Sequence, residues 1–394
     1  MEDNKEKIIY GNSKYKNIGN TCYMNSTLAI LQHTNIFTDF IINGSFSKNL
    51  ITNIKRKINE NNTISKDDHD NIQLQLYIEI INKLSYQLYQ LFVASLQNDD
   101  CSITPTSFKS SIGKINCMWN ENMHQDSQEF FSFLITNLEE EIGQKVSFIP
   151  GRKFIKSNNN FSIKKNLLRI KAQKSWEKFL KNEYSPLKIM FNGLSHTNNK
   201  CEFCTNESNS FETFTTLQLS IPKNSKNVSD DTKTFHLYEC FDHLVQEEEL
   251  DFNNRMKCGL CYRKNKAIKK TSIWKTPKIL VLHIKRFEIN DYGIPVRKIT
   301  NKINYPIINL DIEKYINEDS PFTKKCKYNL FGINLHHEFG FFGNINSGHY
   351  TSIVKSRFDN KWYIYNDSNN ISEINNLDSL INKNAYMLFY YRTN

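Results

Sequence analysis

One cysteine, Cys22, lies where a predicted turn leads into an apolar helix, within residues 17–32. Gly19 permits a tight turn, and Asn20 or Thr21 can cap the first free backbone N–H groups of the helix. A cysteine in the first helical turn faces those N–H groups and the positive end of the helix dipole, which favour the thiolate. The pattern indicates a nucleophile. The alternative is a small buried side chain at a helix start.

A thiol nucleophile needs a base, and the chain has ten histidines. His349 is the best candidate because a glycine-containing loop enters a predicted strand there and can hold an imidazole at the edge of a cleft. In a papain-type site a third polar group orients the imidazole. Asn366 and Asp367, on the next hairpin, are the candidates for that group. The rival histidines are His336 and His337 at a strand end and His283 inside a strand.

Two Cys-x-x-Cys pairs, Cys201 with Cys204 and Cys258 with Cys261, predict a metal site. Together they supply the four thiolates of a tetrahedral zinc site, and a site filled by four protein ligands is structural. A redox pair is the alternative, but neither pair has a thioredoxin-like βαβ context. The remaining cysteines are predicted to be packing residues: Cys101, Cys117, Cys240 and Cys326.

The formal charge of the 394-residue chain is +10, and one segment accounts for it. Residues 143–188 contain twelve basic and two acidic side chains. Such a segment can bind nucleic acid, but regularly interleaved aromatic residues are missing, which favours a solvated insertion. No apolar run predicts a membrane span, and residues 1–7 lack the apolar core of a signal peptide. We therefore expect a cytoplasmic or nuclear location, where cysteines stay reduced.

The periodicity of apolar residues predicts helices in the first third of the chain and strands beyond residue 211. Residues 43–70 are polar and predict a loop or a poorly ordered insertion, whereas residues 72–92 predict one long amphipathic helix. A helix start is predicted at Thr104-Pro105 and another at 125–130. Strands are predicted at 279–287, 328–335, 349–355, 362–365 and 385–391. The fold class is therefore α+β.

Five separated motifs resemble those of the ubiquitin-specific proteases, a papain-like family of deubiquitinases. The cysteine box at 19–26 is the most specific of them. The others resemble the family's glutamine-aspartate box at 125–130, its central palm strand at 282–287, its histidine box at 347–350 with Trp362 and 366–367, and its zinc cysteines.

The resemblance covers about 15–391 and implies an N-terminal tail, residues 1–14, before a catalytic domain at 15–392. It implies a helical thumb, a β-rich palm and zinc-bearing β fingers. Their approximate bounds are 15–142 for the thumb, 143–188 for the basic insertion, 190–275 for the fingers and 276–392 for the palm.

By resemblance, Cys22 is the nucleophile and His349 the base and later the acid. Asn366 orients the imidazole, with Asp367 as neighbour or substitute, and the side chain of Asn17 contributes to the oxyanion hole. The metal is one structural Zn²⁺, and no catalytic cofactor is expected. Residues 341–343, with Gly340 and Gly343 as hinges, correspond to a mobile blocking loop.

The implied reaction is hydrolysis of the bond after the C-terminal glycine of ubiquitin in conjugates, chains or precursors, by a monomer. Two alternatives stay open within the resemblance: a protease for another ubiquitin-like modifier, and a catalytically silent ubiquitin-binding scaffold. Nucleic-acid binding through 143–188 is a third, less favoured possibility, and no membrane partner is expected.

Overall fold

The computed structural model divides the chain into two compact units. The first holds Met1–Gln144, Ile289–Arg297 and Phe331–Met387, and the second holds Lys145–Glu288, Lys298–Leu330 and Leu388–Asn394. The residues that the structure describes are 13–60, 69–98, 101–148, 160–181, 183–222, 232–250, 254–290, 292, 295–322, 326–338 and 348–393.

Helices fill most of the described chain before residue 143, as the periodicity predicts. The α-helices are α1 (Cys22–Gln32), α2 (Asn35–Ile42), α3 (Ser45–Glu60), α4 (His69–Ile81), α5 (Leu84–Gln97), α6 (Thr106–Ile115), α7 (Ser127–Ile142), α8 (Asn160–Lys181), α9 (Pro186–Phe191) and α10 (Leu237–Val245). Short 3₁₀ helices cover Cys117–Trp119, Glu313–Tyr315 and Leu377–Leu380.

Strands fill most of the remainder. They are β1 (Lys14–Tyr15), β2 (Ser102–Ile103), β3 (Gly193–Cys201), β4 (Glu207–Phe214), β5 (Thr216–Ser220), β6 (Phe235–His236), β7 (Glu248–Glu249), β8 (Ala267–Lys275), β9 (Ile279–Lys285), β10 (Phe287–Ile289), β11 (Pro295–Lys298), β12 (Ile303–Asn304), β13 (Leu310–Asp311), β14 (Lys327–Glu338), β15 (Gly348–Lys355), β16 (Trp362–Tyr365), β17 (Ser372–Ile374) and β18 (Ala385–Arg392). The strands predicted after residue 278 are confirmed.

Helix α1 is the most deeply buried helix of the first unit, because all eleven of its residues are buried. It packs against β15, α7 and α2. A helix that is enclosed on every side has little freedom to shift, so its first residue, Cys22, is held in a fixed position.

Two predictions for the first unit are wrong. The predicted loop at 43–70 contains α3, whose Phe46, Leu50 and Ile54 recur four residues apart and are buried. That apolar stripe stabilises a helix despite the many asparagines and lysines between its members. The single helix predicted at 72–92 is two helices, α4 and α5, because the chain turns at Asn82–Lys83.

A sheet in the first unit brings the histidine and asparagine regions together. Strand β15 lies between β14 and β16 and pairs antiparallel with both. His337 lies opposite His349, and Ser352 lies opposite Tyr365. The turn after β16 therefore delivers Asn366 and Asp367 to the β15 edge that carries His349.

The second unit contains an antiparallel sheet in the order β4-β3-β8-β7, and β9 pairs parallel with β5. Helix α8, in the segment predicted as a solvated insertion, packs against β4. Ala172 of α8 joins a buried cluster with Leu194, Phe211 and Trp274, so the helix is solvated on only part of its circumference. None of the described helices is both long enough and apolar enough for a membrane crossing.

Candidate active site and metal centre

Cys22 is the first residue of α1, and Thr21 occupies the N-cap position. The predicted side-chain cap is wrong for both candidates. The Thr21 hydroxyl accepts from the Ile18 backbone N–H at 3.0 Å, and Asn20 Nδ2 donates to the Asn122 carbonyl at 2.8 Å. The two side chains therefore hold the turn together and leave the N–H groups at the helix start for other acceptors.

The turn before Cys22 requires glycine at residue 19. Gly19 has φ = +108°, and a Cβ added there would lie 2.3 Å from Asn122 Oδ1. The ammonium group of the buried Lys109 lies 3.2 Å from the same Asn122 oxygen and 3.5 Å from the Gly19 carbonyl. Burial lowers the pKa of Lys109. These contacts fix the backbone that leads into the cysteine.

The Cys22 thiol is enclosed, with 3 % of the residue exposed. Burial raises its pKa, and the negative charge of Asp367 raises it further. The backbone N–H groups of Tyr350, Tyr23 and Cys22 donate to the sulphur and lower the pKa, but by less than burial raises it. The predicted stabilisation of the thiolate at the helix start is therefore present but is outweighed.

The Tyr350 N–H that contacts the sulphur belongs to the residue after His349, so β15 brings the histidine to the cysteine. His349 is half-buried, and its Nε2 lies 2.6 Å from Asn366 Oδ1. With the amide oxygen as acceptor, the imidazole carries its proton on Nε2, and Nδ1 has the lone pair. This is the tautomer in which Nδ1 can accept a proton.

Asp367 contacts a different pair of groups from Asn366. The backbone of Asp367 has φ = +48°. Its two carboxylate oxygens accept hydrogen bonds from Asn25 Nδ2 at 2.8 Å and from Asn17 Nδ2 at 3.0 Å. The adjacent residues Asn366 and Asp367 therefore have different partners. Asn366 contacts the imidazole of His349, and Asp367 contacts Asn17, the predicted oxyanion-hole side chain.

Asn17 is fixed from both ends of its amide. Its Oδ1 accepts from the backbone N–H groups of Gly19 at 3.2 Å and Thr21 at 3.0 Å, while Asp367 accepts from its Nδ2. An NH₂ group has two hydrogens, so one N–H of this exposed side chain stays available for an oxygen beside Cys22.

The glutamine-aspartate box anchors α7 beside this site. Asp126 caps α7 by accepting from the backbone N–H groups of Gln128 and Glu129, and it also accepts from the Tyr386 hydroxyl. The next residue, Ser127, donates to Asn334 Oδ1 at 2.9 Å, and Asn334 donates onward to Ser26 of α1 at 2.9 Å. This buried chain of hydrogen bonds links α7, β14 and α1.

The rival histidines have other surroundings. His337 Nε2 lies 2.8 Å from Thr351 Oγ1, and its Nδ1 lies 3.1 Å from Asn384 Nδ2. His336 is buried against the rings of Tyr350 and Tyr386, and His283 is buried within β9. The predicted blocking loop at 340–343 lies outside the described residues.

The four cysteines of the Cys-x-x-Cys pairs come together in the second unit. Their sulphur atoms all lie within 4.8 Å of one another, with Cys201–Cys261 at 4.0 Å and Cys204–Cys258 at 3.5 Å. A tetrahedron with Zn–S bonds of about 2.3 Å has sulphurs about 3.8 Å apart. The donor set and its spacing therefore fit a four-thiolate metal site.

Both loops of this cluster have the same backbone pattern. Cys201 N–H donates to Asn206 at 2.9 Å, and Cys258 N–H donates to Arg263 at 3.0 Å, each bond spanning five residues. Backbone N–H groups of Cys261 and Leu260 donate to the Cys258 sulphur and lower its pKa to about 6. A thiolate favoured by such N–H groups is the form that binds a metal.

The other cysteines divide into two classes. Cys240 and Cys326 are buried, as the packing prediction requires, but Cys101 and Cys117 are exposed and do not pack. All nine cysteines are within the described chain, and none forms a disulfide.

The sequence profile of the family described as ubiquitin carboxyl-terminal hydrolase matches residues 13–390. The chain belongs to this family. A probable ubiquitin carboxyl-terminal hydrolase of Acanthamoeba polyphaga mimivirus is 29 % identical over 451 residues, a match that covers 99 % of this chain and 92 % of the viral protein. Ubiquitin carboxyl-terminal hydrolase 4 of Saccharomyces cerevisiae is 28 % identical, and that match covers 96 % of this chain but 39 % of the yeast protein.

Solved structures show the same fold. The yeast SAGA DUB module with an Sgf73 mutant matches with a TM-score of 0.64 and 24 % identity, covering 100 % of this chain and 70 % of that chain. The SAGA Ubp8/Sgf11/Sus1/Sgf73 DUB module bound to ubiquitin aldehyde matches with a TM-score of 0.63 and 23 % identity, covering 100 % and 71 %. The predicted family, the α+β papain-like fold and the class of enzyme, a thiol-dependent deubiquitinating hydrolase, are confirmed.

Several residues that organise this hydrolase's site were missed from the sequence. Asn25 offered a signal, because it lies three residues after Cys22 and shares a helix face with it. Asn334 offered a weaker one, as an amide inside an otherwise apolar strand. Nothing in the sequence connects Tyr386 with Asp126 or Lys109 with Gly19, because those pairs meet only in the folded chain.

Proposed function

We propose that this chain is a thiol isopeptidase that hydrolyses the bond after the C-terminal glycine of ubiquitin in conjugates, chains or precursors. One observation carries the proposal: the enclosed Cys22 thiol accepts from the Tyr350 backbone N–H next to His349, and the His349 Nε2–H donates to Asn366 Oδ1 at 2.6 Å. A thiol, an imidazole that can accept a proton at Nδ1 and an orienting amide are the groups that acyl transfer through cysteine needs.

In the acylation step, the Cys22 sulphur attacks the carbonyl carbon of the terminal glycine, and His349 takes the thiol proton. The C–N bond to the lysine amine then breaks, and His349 returns the proton to the leaving amine. A thioester between Cys22 and ubiquitin remains. Because burial raises the pKa of Cys22, the thiol keeps its proton in the free chain and His349 acts as a base once the substrate is bound.

The tetrahedral intermediate places negative charge on the former carbonyl oxygen. We assign the free N–H of Asn17 and the backbone N–H of Cys22 to that oxygen. Asp367 acts as a positioning residue, because its carboxylate holds Asn17 Nδ2 at 3.0 Å and prevents the amide from rotating away.

Deacylation uses water in place of the amine. His349 removes a proton from the water, and the hydroxide adds to the thioester carbonyl. The C–S bond then breaks, His349 returns its proton to the sulphur to give the Cys22 thiol, and the ubiquitin carboxylic acid releases its own proton to solvent. The reaction consumes one water and needs no redox change, so the proposal includes no catalytic cofactor.

We assign one structural Zn²⁺ to the four-cysteine cluster. The ion would be held by Cys201, Cys204, Cys258 and Cys261, and it would cross-link two short loops that a 53-residue interval separates in the sequence. With four protein thiolates as ligands, the ion has no open position for a substrate.

The partner in this proposal is ubiquitin, which is present in the matched SAGA structure as its aldehyde. We further propose that the chain acts as a monomer inside the cell, in the cytoplasm or nucleus, with no membrane partner. None of the nine cysteines, all of which the structure describes, forms a disulfide, which suits a reducing compartment.

The test is reaction of the purified chain with ubiquitin that carries a thiol-reactive group at its C-terminus, followed by intact mass measurement. We expect one ubiquitin adduct on the parent chain and none on Cys22→Ala. The matched control is Cys117→Ser, which removes an exposed thiol and should keep the adduct.

Parallel reactions with probes built on other ubiquitin-like modifiers separate the alternatives. An adduct with another modifier, and none with ubiquitin, would reassign the substrate. No adduct with any probe on a folded, zinc-loaded chain would contradict the hydrolase proposal and favour the scaffold.

A further inference from the structure

The two loops of the four-cysteine cluster expose large apolar side chains. Phe203, between Cys201 and Cys204, is 61 % exposed, and Tyr262, directly after Cys261, is 71 % exposed. We call the following residues the knuckle tip: Phe203, Met256, Leu260 and Tyr262, together with the exposed cations Lys257, Arg263 and Lys264.

The knuckle tip is strongly basic. Residues 254–267 include five basic side chains and no acidic one. Lys266 is paired with Glu249 at 2.6 Å, whereas Lys257, Arg263 and Lys264 have no ion pair with any described residue. One exposed carboxylate, Glu202, lies in the same loops, but the cations outnumber it, and such a surface attracts polyanions.

Two aromatic rings lie in contact with these cations. The guanidinium of Arg263 lies 4.5 Å from the centre of the Phe203 ring, and the Lys257 ammonium lies 5.9 Å from the Tyr262 ring. Tyr262 has φ = +57°, a conformation that glycine or asparagine adopts more easily than an aromatic residue. Its exposed ring contributes little packing in return, so the turn alone does not account for a tyrosine there.

We propose that the knuckle tip binds single-stranded nucleic acid. Bases would stack on the Tyr262 ring and on the Phe203–Arg263 pair, while Lys257 and Lys264 would contact phosphates. Base stacking on aromatic rings and guanidinium planes next to lysines is the usual chemistry of single-strand binding. This site is separate from the proposed hydrolase site and adds a binding function.

The arrangement favours a single strand over the other polyanions. A duplex keeps its base faces inside the helix, where the rings of the knuckle tip cannot reach them. An acidic protein segment would form ion pairs with the cations, but its carboxylates would not stack on the two exposed rings. The basic helix α8 also has exposed lysines, such as Lys174, but its two rings described in contact with a cation, Trp176 and Phe179, are half-buried.

The experiment measures fluorescence anisotropy of dye-labelled 15-nucleotide strands, one of deoxythymidine and one of uridine, with the zinc-loaded full chain. Titrations are run between 50 and 200 mM salt, with a 15-base-pair duplex and a poly-glutamate peptide as competitors. No ubiquitin is present, so the result does not depend on the hydrolase activity.

The key variants are Tyr262→Ala and Lys264→Glu. We expect Tyr262→Ala to weaken binding about tenfold, which is within the range for losing one stacked base. Lys264→Glu should weaken binding. It should also reduce the slope of log affinity against log salt concentration by the amount that about one or two phosphate contacts contribute. The matched controls are Tyr292→Ala, which removes the most exposed of the tyrosines that the structure describes, and Lys174→Glu. Neither variant should change affinity more than about twofold.

Three outcomes would overturn the proposal. Equal losses of affinity in Tyr262→Ala and Tyr292→Ala would show that bases do not stack on Tyr262. A larger loss of affinity in Lys174→Glu than in Lys264→Glu would place the binding site on α8. Displacement by poly-glutamate with the same dependence on Tyr262 would assign the knuckle tip to an acidic protein partner. A tighter complex with uridine than with deoxythymidine would identify RNA as the source of the strand.

Discussion

Cys22, the candidate nucleophile, and the cysteines of the four-cysteine cluster use the same functional group in opposite surroundings. Cys22 is buried in the first unit, and burial raises the pKa of its thiol. Cys258 lies on an exposed loop of the second unit, and backbone N–H groups lower its pKa to about 6. The backbone thus favours the thiolate at Cys258, although burial and hydrogen bonds to the other thiols raise the pKa of Cys204 to about 11. Cys22, in contrast, keeps its proton until a base acts.

The two sites also differ in how far apart their parts lie in the sequence. Each half of the metal site is a loop of about five residues with its own backbone hydrogen bonds. The hydrogen bonds of the candidate active site join residues far apart in the sequence, because Asn17 and Asn25 contact Asp367 across 350 and 342 residues. We infer that the metal loops tolerate changes elsewhere in the chain better than the active site does.

The largest effect should come from His349→Ala. Loss of the group that accepts and returns the proton should lower kcat/KM for a ubiquitin substrate about 10³-fold or more. The matched control is His337→Ala, on the neighbouring strand, which should cost less than about tenfold because His337 contacts Thr351 and Asn384. A His337 effect as large as that of His349 would reassign the base.

The next largest effect should come from Asn17→Ala. Removing one oxyanion donor should lower kcat about 10²–10³-fold, with little change in KM. Thermal unfolding must be measured in parallel, because Asn17 Oδ1 also accepts from Gly19 and Thr21. A rise in KM with unchanged kcat would place Asn17 in substrate binding.

A smaller effect is expected for Asp367→Asn, which keeps one acceptor oxygen but loses the charge and the second acceptor. We expect kcat to fall about tenfold because Asn17 is held less firmly. The same change should move the pH profile of Cys22 alkylation by iodoacetamide to lower pH, because the Asp367 charge raises the pKa of the thiol. The matched variant Asn366→Ala keeps the charge, so its alkylation profile should stay in place.

The smallest effect on Cys22 should come from Cys258→Ser. We expect loss of zinc and a fall of about 5–10 °C in the thermal midpoint, because the metal cross-links two loops. The rate of Cys22 alkylation should change less than about threefold, as expected for independent sites. Cys117→Ser is the matched control for both measurements. A tenfold change in the alkylation rate would show that the two cysteine sites are coupled.

Much of the fold follows from local pattern. The strands after residue 278 and the start of α7 match their predictions because alternation and a capping aspartate act over a few residues. The helix α3 was missed because polar residues outnumber the three apolar ones that form its buried stripe. The break between α4 and α5 was missed because apolar residues continue in register across Asn82–Lys83.

Cys22, His349 and the four cysteines of the metal cluster could be predicted as candidates without a structure, because those residue types stand in short motifs with recognisable spacing. Tertiary structure alone decided between the neighbours Asn366 and Asp367. Their side chains point to different partners, His349 for one and Asn17 for the other, since the turn after β16 puts Asp367 at φ = +48°. The protonation of Cys22 was also decided by tertiary structure, because burial by distant segments outweighs the local effect of the helix start.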